Sequence, residues 1–268
     1  MKGSVFGEND WAVILGASSG FGEATALELS SRGLHICGIH LDRRKTLPRV
    51  QQIVEQIRQN GRQALFFNIN AADEEKRREV ISNLKAQVND GFVRVLLHSL
   101  AFGTLKPVVA ATPEERINPA QMNMTLDVMA HSLVYWVQDL FQSGLLREGS
   151  RIFAMTSLGS QLATFSYGAV SAAKSALEAH IRQLTLELAP HRITVNAIRA
   201  GVTDTPSLQK IPGHENLMQA ALQKNPSGRL TRPVDVAKVI CVLSHPDSYW
   251  MTGNVINVDG GEMVVGTK

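Results

Sequence analysis

The sequence predicts a single α/β domain of the doubly wound type, in which about seven mostly parallel strands form one sheet between two layers of helices. Three observations indicate this fold. The length of 268 residues fits one domain, and short apolar runs alternate along the chain with longer amphipathic segments. A glycine-rich turn follows the first apolar run. With 44% hydrophobic and 19% charged residues, the composition is that of a compact globular protein.

The alternation predicts the order of the elements. Each apolar run is short enough for a strand buried on both faces, and the runs lie at residues 11–15, 36–41, 64–67, 93–97, 151–155, 193–197 and 255–258. The segments between them predict helices over residues 21–32, 47–60, 73–88, 119–143, 167–188 and 233–243. The only long irregular segment is expected at residues 201–213. Because ligands of such sheets bind beyond the carboxyl ends of the strands, we expect a substrate lid at about residues 201–225 of the single domain 1–268.

Charge and composition argue against several classes of function. The 27 basic and 24 acidic residues are spread along the chain, without the basic block that is typical of nucleic-acid binding. Residues 1–10 lack the apolar core of a signal peptide, and no apolar run has membrane-spanning length. We therefore expect a cytoplasmic protein that binds neither nucleic acid nor membrane. Cys37 and Cys241 are expected to be reduced core thiols, and the eight histidines show no metal-ligand spacing, so no metal is predicted.

Gly16, Gly20 and Gly22 form the glycine-rich turn between the first strand and the first helix. Glycine at these positions lets the backbone approach a pyrophosphate, whose charge would be met by free amides and by the positive end of the helix dipole. Ser18 and Ser19 add hydroxyl donors. The alternative is a tight turn without a ligand, but a position after the first strand of a strand–helix series favours a dinucleotide site.

A second group of residues predicts proton chemistry. Ser157 follows the fifth strand, and Tyr167 and Lys174 lie seven residues apart at the start of the next predicted helix. Two helical turns span about 7.2 residues, so both side chains are expected on one face, directed towards Ser157. An ammonium near the phenol would lower the pKa of Tyr167 and make it a better proton carrier. Such a pair is a common coincidence in an arbitrary helix, but its position after a cofactor turn favours a catalytic role.

These motifs resemble a known family. The Gly-x3-Gly-x-Gly turn is similar to that of the short-chain dehydrogenase/reductase superfamily, whose members have a Rossmann fold. Most members space their catalytic tyrosine and lysine four residues apart, whereas a spacing of seven resembles the enoyl-acyl carrier protein reductases. The string His-Ser-Leu-Ala-Phe-Gly from His98 to Gly103 resembles the same group. Val170 occupies the usual tyrosine position, and Met129 lies where ketoreductases place a catalytic asparagine.

The resemblance implies an activity and roles for the residues. The activity is reduction of the trans-2 double bond of an enoyl thioester, carried by acyl carrier protein in fatty acid synthesis, by a homotetramer. Tyr167 would stabilise the enolate oxygen, Lys174 would hold the cofactor ribose, and Ser157 would assist at the thioester carbonyl; Phe102 and Gly103 would join Ser157 and Tyr167 around the substrate. The implied cofactor-binding residues are Gly16, Ser18, Ser19, Gly20, Phe21, Gly22, His40, Arg43, Arg44, Asn70, Ala71, Ser99, Leu100, Ala101, Thr156, Tyr167, Lys174, Gly201, Thr203 and Thr205.

The end of the second predicted strand bears on the choice of cofactor. By the same resemblance, the position that is acidic in NAD-dependent enzymes falls near His40, while Arg43 and Arg44 offer cations for a 2′-phosphate. This favours NADPH, with NADH as the alternative if Asp42 is the ribose ligand. The arginines could also belong to an exposed turn without a ligand.

Two features depart from the best-known enoyl reductases. The glycine turn is of the ordinary short-chain kind, and Ser157 stands where many of those enzymes have a second tyrosine. A short-chain carbonyl reductase, of the 3-ketoacyl or hydroxysteroid type, is therefore the second hypothesis. A non-catalytic cofactor-binding regulator is the third, and the presence of Ser157, Tyr167 and Lys174 argues against it.

Overall fold

A computed structural model describes residues 6–266. Seven strands form one sheet, with bounds β1 (Trp11–Leu15), β2 (His35–His40), β3 (Ala64–Asn68), β4 (Val93–His98), β5 (Arg151–Thr156), β6 (Thr194–Ala200) and β7 (Val255–Val258). Their order across the sheet is β3-β2-β1-β4-β5-β6-β7. The doubly wound fold is confirmed, and every neighbouring pair is parallel, so the sheet is parallel throughout rather than mostly parallel. The strand order reverses between β1 and β4, so their carboxyl ends flank the crevice where such sheets bind ligands.

Helices cover both faces of the sheet. They are α1 (Gly20–Ser31), α2 (Leu47–Gln59), α3 (Glu74–Gln87), α4 (Pro119–Leu126), α5 (Ser132–Gln142), α6 (Gly168–Leu188), α7 (His214–Lys224) and α8 (Pro233–Leu243). Successive strand side chains point to opposite faces. Val13 and Leu15 of β1 therefore join the apolar layer beneath α3, α5 and α6, while Ala12 and Ile14 join the layer beneath α1, α2 and α8.

Two predicted helices have different bounds in the structure. The helix expected at residues 119–143 is made of α4, a π-helical turn at Asp127–His131 and α5. A π turn is a local widening of the helix that apolar periodicity does not reveal, and such turns occur frequently at functional sites. The helix expected from Tyr167 begins at Gly168, so Tyr167 precedes α6.

The prediction of one long irregular segment was wrong. Residues 99–118, between β4 and α4, contain no helix or strand and form a longer irregular segment than residues 201–213. The predicted lid at residues 201–225 contains a short 3-10 turn, Leu208–Lys210, and α7. Both segments lie beside the carboxyl ends of the strands, where their side chains line one cleft.

The structure also bears on membrane spanning, metal binding and the state of the two cysteines. In residues 6–266, no helix is long and apolar enough to cross a membrane. Within the same range, no three His, Cys, Asp or Glu side chains are grouped so as to hold a metal ion. Cys37 and Cys241 are both free thiols, and burial raises the pKa of Cys37 to about 12.

Candidate active site

A cleft of about 470 Å³ opens at the carboxyl ends of the strands. Its wall comes from the loops after β1, β4, β5 and β6 and from the lid. All the predicted site residues line this cleft except Gly22, Arg43 and Arg44. The residues that the structure brings together there are Gly16, Ser18, Ser19, Gly20, Phe21, His40, Asn70, Ala71, Ser99, Leu100, Ala101, Phe102, Gly103, Thr156, Ser157, Tyr167, Lys174, Gly201, Thr203 and Thr205.

The glycine turn forms a cradle that only glycine permits. Gly16 has a φ of +91°, and a Cβ there would lie 2.5 Å from the carbonyl oxygen of Ser99. A Cβ at Gly22 would overlap the carbonyl oxygen of Gly16, so Gly22 shapes the turn without lining the cleft. Thr205 lies over the turn on the opposite side, where its methyl group would be 3.4 Å from a Cβ at Gly20. The free amides at the start of α1 therefore face a narrow slot that fits a pyrophosphate.

The end of β2 places a carboxylate beside this turn. Burial alone would raise the pKa of Asp42, but hydrogen bonds from Thr46, Ser18 and His40 outweigh it and lower that pKa below its usual value. The Nδ1 atom of His40 lies 2.9 Å from Asp42 Oδ2. Burial lowers the pKa of His40, so its imidazole is neutral at pH 7 and donates this bond.

Arg43 and Arg44 lie on the exposed turn that follows, outside the cleft lining. Asn70 and Ala71 line the cleft after β3, and the turn there is held by two hydrogen bonds. Asn70 Oδ1 accepts one from the amide of Ala72 at 3.1 Å, and the carbonyl of Ala71 accepts one from Trp136 Nε1 at 2.8 Å. The turn after β3 is therefore tied to neighbouring chain by hydrogen bonds, whereas the arginines lie on an exposed segment between β2 and β3.

Tyr167 is held by a turn rather than by a helix. The preceding residue, Ser166, has a φ of +61°, a left-handed conformation that is uncommon for residues other than glycine. The phenol ring packs over Gly159, where a Cβ would lie 2.5 Å from Tyr167 Cε1 and 3.2 Å from Ser157 Oγ. Tyr167 and Ser157 therefore come together through this turn and Gly159. Tyr167 precedes α6 and so does not lie on the helical face that its spacing from Lys174 predicted.

The predicted lowering of the Tyr167 pKa was also wrong. Burial raises that pKa, and the nearby Ser157 hydroxyl opposes the rise only in part. The Lys174 ammonium points elsewhere, because its Nζ donates to the carbonyl oxygen of Met155 at 2.7 Å. At neutral pH the phenol is protonated and acts as a hydrogen-bond donor.

Ser157 Oγ is buried and has no hydrogen-bond partner of normal geometry within the described chain. A buried hydroxyl without a partner costs about 1–3 kcal/mol. Its position beside the Tyr167 phenol makes it a polar group available to a ligand carbonyl. Two donors, a phenol and a hydroxyl, thus face the same part of the cleft.

The wall opposite these donors is apolar. Val170 and Met129 fill the two positions where, by resemblance, ketoreductases carry tyrosine and asparagine, and both pack on Gly103. A Cβ at Gly103 would lie 2.9 Å from the Met129 sulfur and 3.1 Å from Val170 Cγ2. The π turn carries Met129 to this wall. Phe102 continues it towards solvent with 54% of its surface exposed.

A family comparison agrees with this geometry. The family described as Enoyl-(Acyl carrier protein) reductase has a sequence model that matches residues 16–262, from the glycine turn through Tyr167 and Lys174 to the end of the lid and beyond. The chain belongs to this family. It is an oxidoreductase of the short-chain dehydrogenase/reductase superfamily, which uses NAD(H) or NADP(H).

Curated relatives of similar length are reductases with other names. Versicolorin reductase 1 of Aspergillus parasiticus is 27% identical over 93% of this chain and 95% of its own. Tetrahydroxynaphthalene reductase of Pyricularia oryzae is 27% identical over 95% of this chain and 89% of its own. Family membership and these relatives support a reductase, and they leave the reduced group open.

Solved structures share the fold. The enoyl-[acyl-carrier-protein] reductase (NADH) from Aquifex aeolicus superposes with a TM-score of 0.80 at 22% identity, covering 99% of this chain and 100% of that one. A short-chain dehydrogenase from Burkholderia cenocepacia, solved with NADP, also has a TM-score of 0.80 at 22% identity, over 96% and 98% of the two chains. At these identities the likeness concerns the fold.

The sequence reasoning missed two buried acids in this reductase. Glu262 lines the cleft, and its carboxylate accepts the backbone amide of Val202 at 3.1 Å. Burial raises the pKa of Glu262. The backbone amide of Val202, next to the predicted cofactor-binding residue Gly201, is therefore already engaged by this carboxylate. The second acid, Glu178, lies beneath Ser157.

Proposed function

We propose that this protein reduces the trans-2 double bond of an enoyl thioester with NADPH as the electron donor. The observation that carries the proposal is the pairing of a displaced tyrosine with an apolar wall. Tyr167 stands seven residues before Lys174, and Val170 and Met129 fill the positions that hold polar groups in ketoreductases. An apolar wall accommodates the acyl chain beside the reacting carbons.

The residues of the cleft can then be given roles. When bound, a nicotinamide would supply the hydride for the β-carbon, and a proton taken up from solvent at the α-carbon would complete the saturated thioester. The Tyr167 phenol, neutral because burial raises its pKa, donates a hydrogen bond to the developing enolate oxygen. Ser157 Oγ, which has no hydrogen-bond partner of normal geometry within the described chain, donates a second hydrogen bond to the same enolate oxygen. Lys174 would hold the ribose of a bound cofactor.

The proposal of NADPH rests on charge at the end of β2. Asp42 already accepts hydrogen bonds from Ser18, His40 and Thr46, so much of its capacity to bind a ribose hydroxyl is used. The next two residues, Arg43 and Arg44, can pair with a 2′-phosphate. One observation favours NADH instead. Hydrogen bonds lower the pKa of Asp42, so its carboxylate stays charged and can accept a hydrogen bond from a ribose 2′-hydroxyl.

The remaining parts of the proposal concern partners and location. A thioester on acyl carrier protein fits the family and the exposed apolar rim at Phe102. By the same family likeness we propose a homotetramer in the cytoplasm. Size-exclusion chromatography with light scattering tests the tetramer, and a monomer would contradict it.

A second candidate function is reduction of a ketone or a hydroxynaphthalene, as the names of the curated relatives suggest. Purified protein should be assayed with NADPH and NADH against a trans-2-enoyl thioester, the matching 3-ketoacyl thioester and tetrahydroxynaphthalene. We expect the highest kcat/KM with the enoyl thioester. A higher value with either of the other two substrates assigns the chain to the carbonyl-type reductases, and turnover of none of them favours a non-catalytic role.

A further inference from the structure

Glu178 lies in α6 one turn after Lys174 and has no place in the chemistry described above. Its carboxylate is buried, with 9% of the residue exposed. One oxygen, Oε1, accepts hydrogen bonds from Thr156 Oγ1 at 2.7 Å and from Ser160 Oγ at 2.8 Å. The same oxygen forms an ion pair with Arg199 Nη2 at 3.3 Å. A charge in the protein interior requires partners of this kind, because an isolated one is costly.

The two hydroxyl donors lie on either side of Ser157. Thr156 ends β5, and Ser160 ends the 3-10 turn Leu158–Ser160. One carboxylate oxygen therefore ties both ends of the short segment that carries Ser157 to α6. Movement of Glu178 would release the segment from both sides.

The same carboxylate acts on Lys174. Burial lowers the pKa of Lys174 to about 8, and the charge of Glu178 opposes that fall. Three other titratable groups lie around this network. His98 of β4 is neutral, since burial and then the Lys174 ammonium lower its pKa to about 3. Tyr167 is a neutral phenol, and Arg199 of β6 is engaged by Glu178. Glu178 is thus the acid that compensates the buried ammonium.

We propose that Glu178 is a positioning residue, whose carboxylate holds the Ser157 segment in place and supplies the negative charge that the Lys174 ammonium requires. The proposal depends on the proposed function only in using Ser157 and Lys174, which serve reduction of a double bond or of a carbonyl alike. Its two parts make separable predictions, because a side chain can lose its charge while keeping its shape.

The test compares Glu178→Gln with Ser160→Ala. Glutamine keeps an oxygen acceptor and removes the charge, so the pH at which kcat/KM begins to fall on the alkaline side should move down by at least ~0.5 unit. Ser160→Ala removes one hydrogen bond and leaves the charge, so kcat should fall while that pH stays unchanged. The pH dependence of the Kd for NADPH, measured by nicotinamide fluorescence, should show the same downward shift for Glu178→Gln. This readout needs no turnover, so it separates failure of this proposal from failure of the proposed function.

Asp139→Asn is the matched control. Asp139 pairs with the buried Arg77 at 2.6 Å in an ion pair whose carboxylate is partly exposed, and neither residue lines the cleft. This variant should lower Tm and leave both pH profiles in place. If Glu178→Gln does not fold, the double variant Glu178→Gln/Arg199→Met avoids an unpaired buried guanidinium and should shift the alkaline fall of kcat/KM in the same direction by a smaller amount, because loss of the Arg199 charge opposes loss of the Glu178 charge. Profiles of the folded variant that coincide with those of the parent would overturn the proposal and leave Glu178 with a structural role alone.

Discussion

The two ends of the cleft are built from different parts of the chain. The glycine-turn end, residues 16–22, is shaped by main chain, and Gly16 and Gly22 are required because a Cβ would overlap neighbouring carbonyl oxygens. The proposed catalytic end depends on side chains, above all Ser157, Tyr167 and the buried Lys174. In the proposed function, the first end would recognise what all dinucleotides share. The second would decide which bond is reduced, so the class of the protein and its reaction would be encoded in separate places.

The largest expected effect is at the catalytic end. Tyr167→Phe removes the phenol that we propose donates to the enolate oxygen, and kcat should fall by at least ~100-fold, a usual contribution of proton or hydrogen-bond catalysis. The Kd for NADPH should change little, which steady-state kinetics and fluorescence titration would measure. Tyr249→Phe is the control, because Tyr249 lies away from the cleft and should keep full activity. Turnover of Tyr167→Phe at the parental rate would remove this residue from the mechanism.

A substitution in the glycine turn, at the other end of the cleft, should affect cofactor binding rather than kcat. Gly22→Ala places a Cβ against the carbonyl of Gly16. If the turn shifts at a cost of about 2 kcal/mol, the Kd for the cofactor rises about 30-fold. Gly266→Ala is the control, since a Cβ there meets nothing within 4 Å. Unchanged binding by a folded Gly22→Ala protein would show that the cradle does not depend on this contact.

The pH dependence tests the catalytic end further. Lys174 has a pKa lowered by burial to about 8, so its ammonium is present below that pH and is lost above it. The kcat/KM should be level below about pH 8 and fall about tenfold per unit above it.

The lowered pKa of Lys174 also makes the free energy of unfolding depend on pH. The folded protein releases the Lys174 proton at a lower pH than the unfolded chain, whose lysine titrates near 10.5. Between about pH 8 and 10.5 the unfolded chain binds more protons, so the free energy of unfolding should rise with pH relative to Lys174→Met. Urea titrations of the two proteins at several pH values would measure the difference, and parallel curves would contradict the lowered pKa.

The smallest expected effect lies at the rim of the glycine-turn end. Arg43→Ala/Arg44→Ala should raise the KM for NADPH about fivefold, equal to about 1 kcal/mol, and leave the KM for NADH unchanged. Asp42→Asn should improve use of NADPH, because it removes a negative charge near the 2′-phosphate. Equal losses with both cofactors would mean that the arginines do not select between them.

The sequence predicts the glycine-turn end of the cleft better than the catalytic end. The glycine turn follows from local spacing, because strand, turn and helix are contiguous and sterics fix their form. The placement of Tyr167 does not, since it depends on a left-handed Ser166 and on ring packing over Gly159. Periodicity also did not reveal the π turn that brings Met129 to the cleft.

The buried acids were missed for a related reason. Glu262 meets Val202 across 60 residues of sequence, and Glu178 meets Thr156 across 22. Contacts of this range are set by the packing of the sheet and leave no local pattern. The spacing of four between Lys174 and Glu178, one helical turn, was the available signal for the second acid.

The most direct test of the reaction follows a deuterium label. Equal concentrations of a trans-2-enoyl thioester and its 3-ketoacyl counterpart would be offered together to the protein with NADPH deuterated at the transferred position. We predict that mass spectrometry will find the label at the β-carbon of the saturated thioester. Label found mainly in the 3-hydroxyacyl product would contradict the account, because it would show that the apolar wall at Met129 and Val170 does not direct the reductase to the double bond.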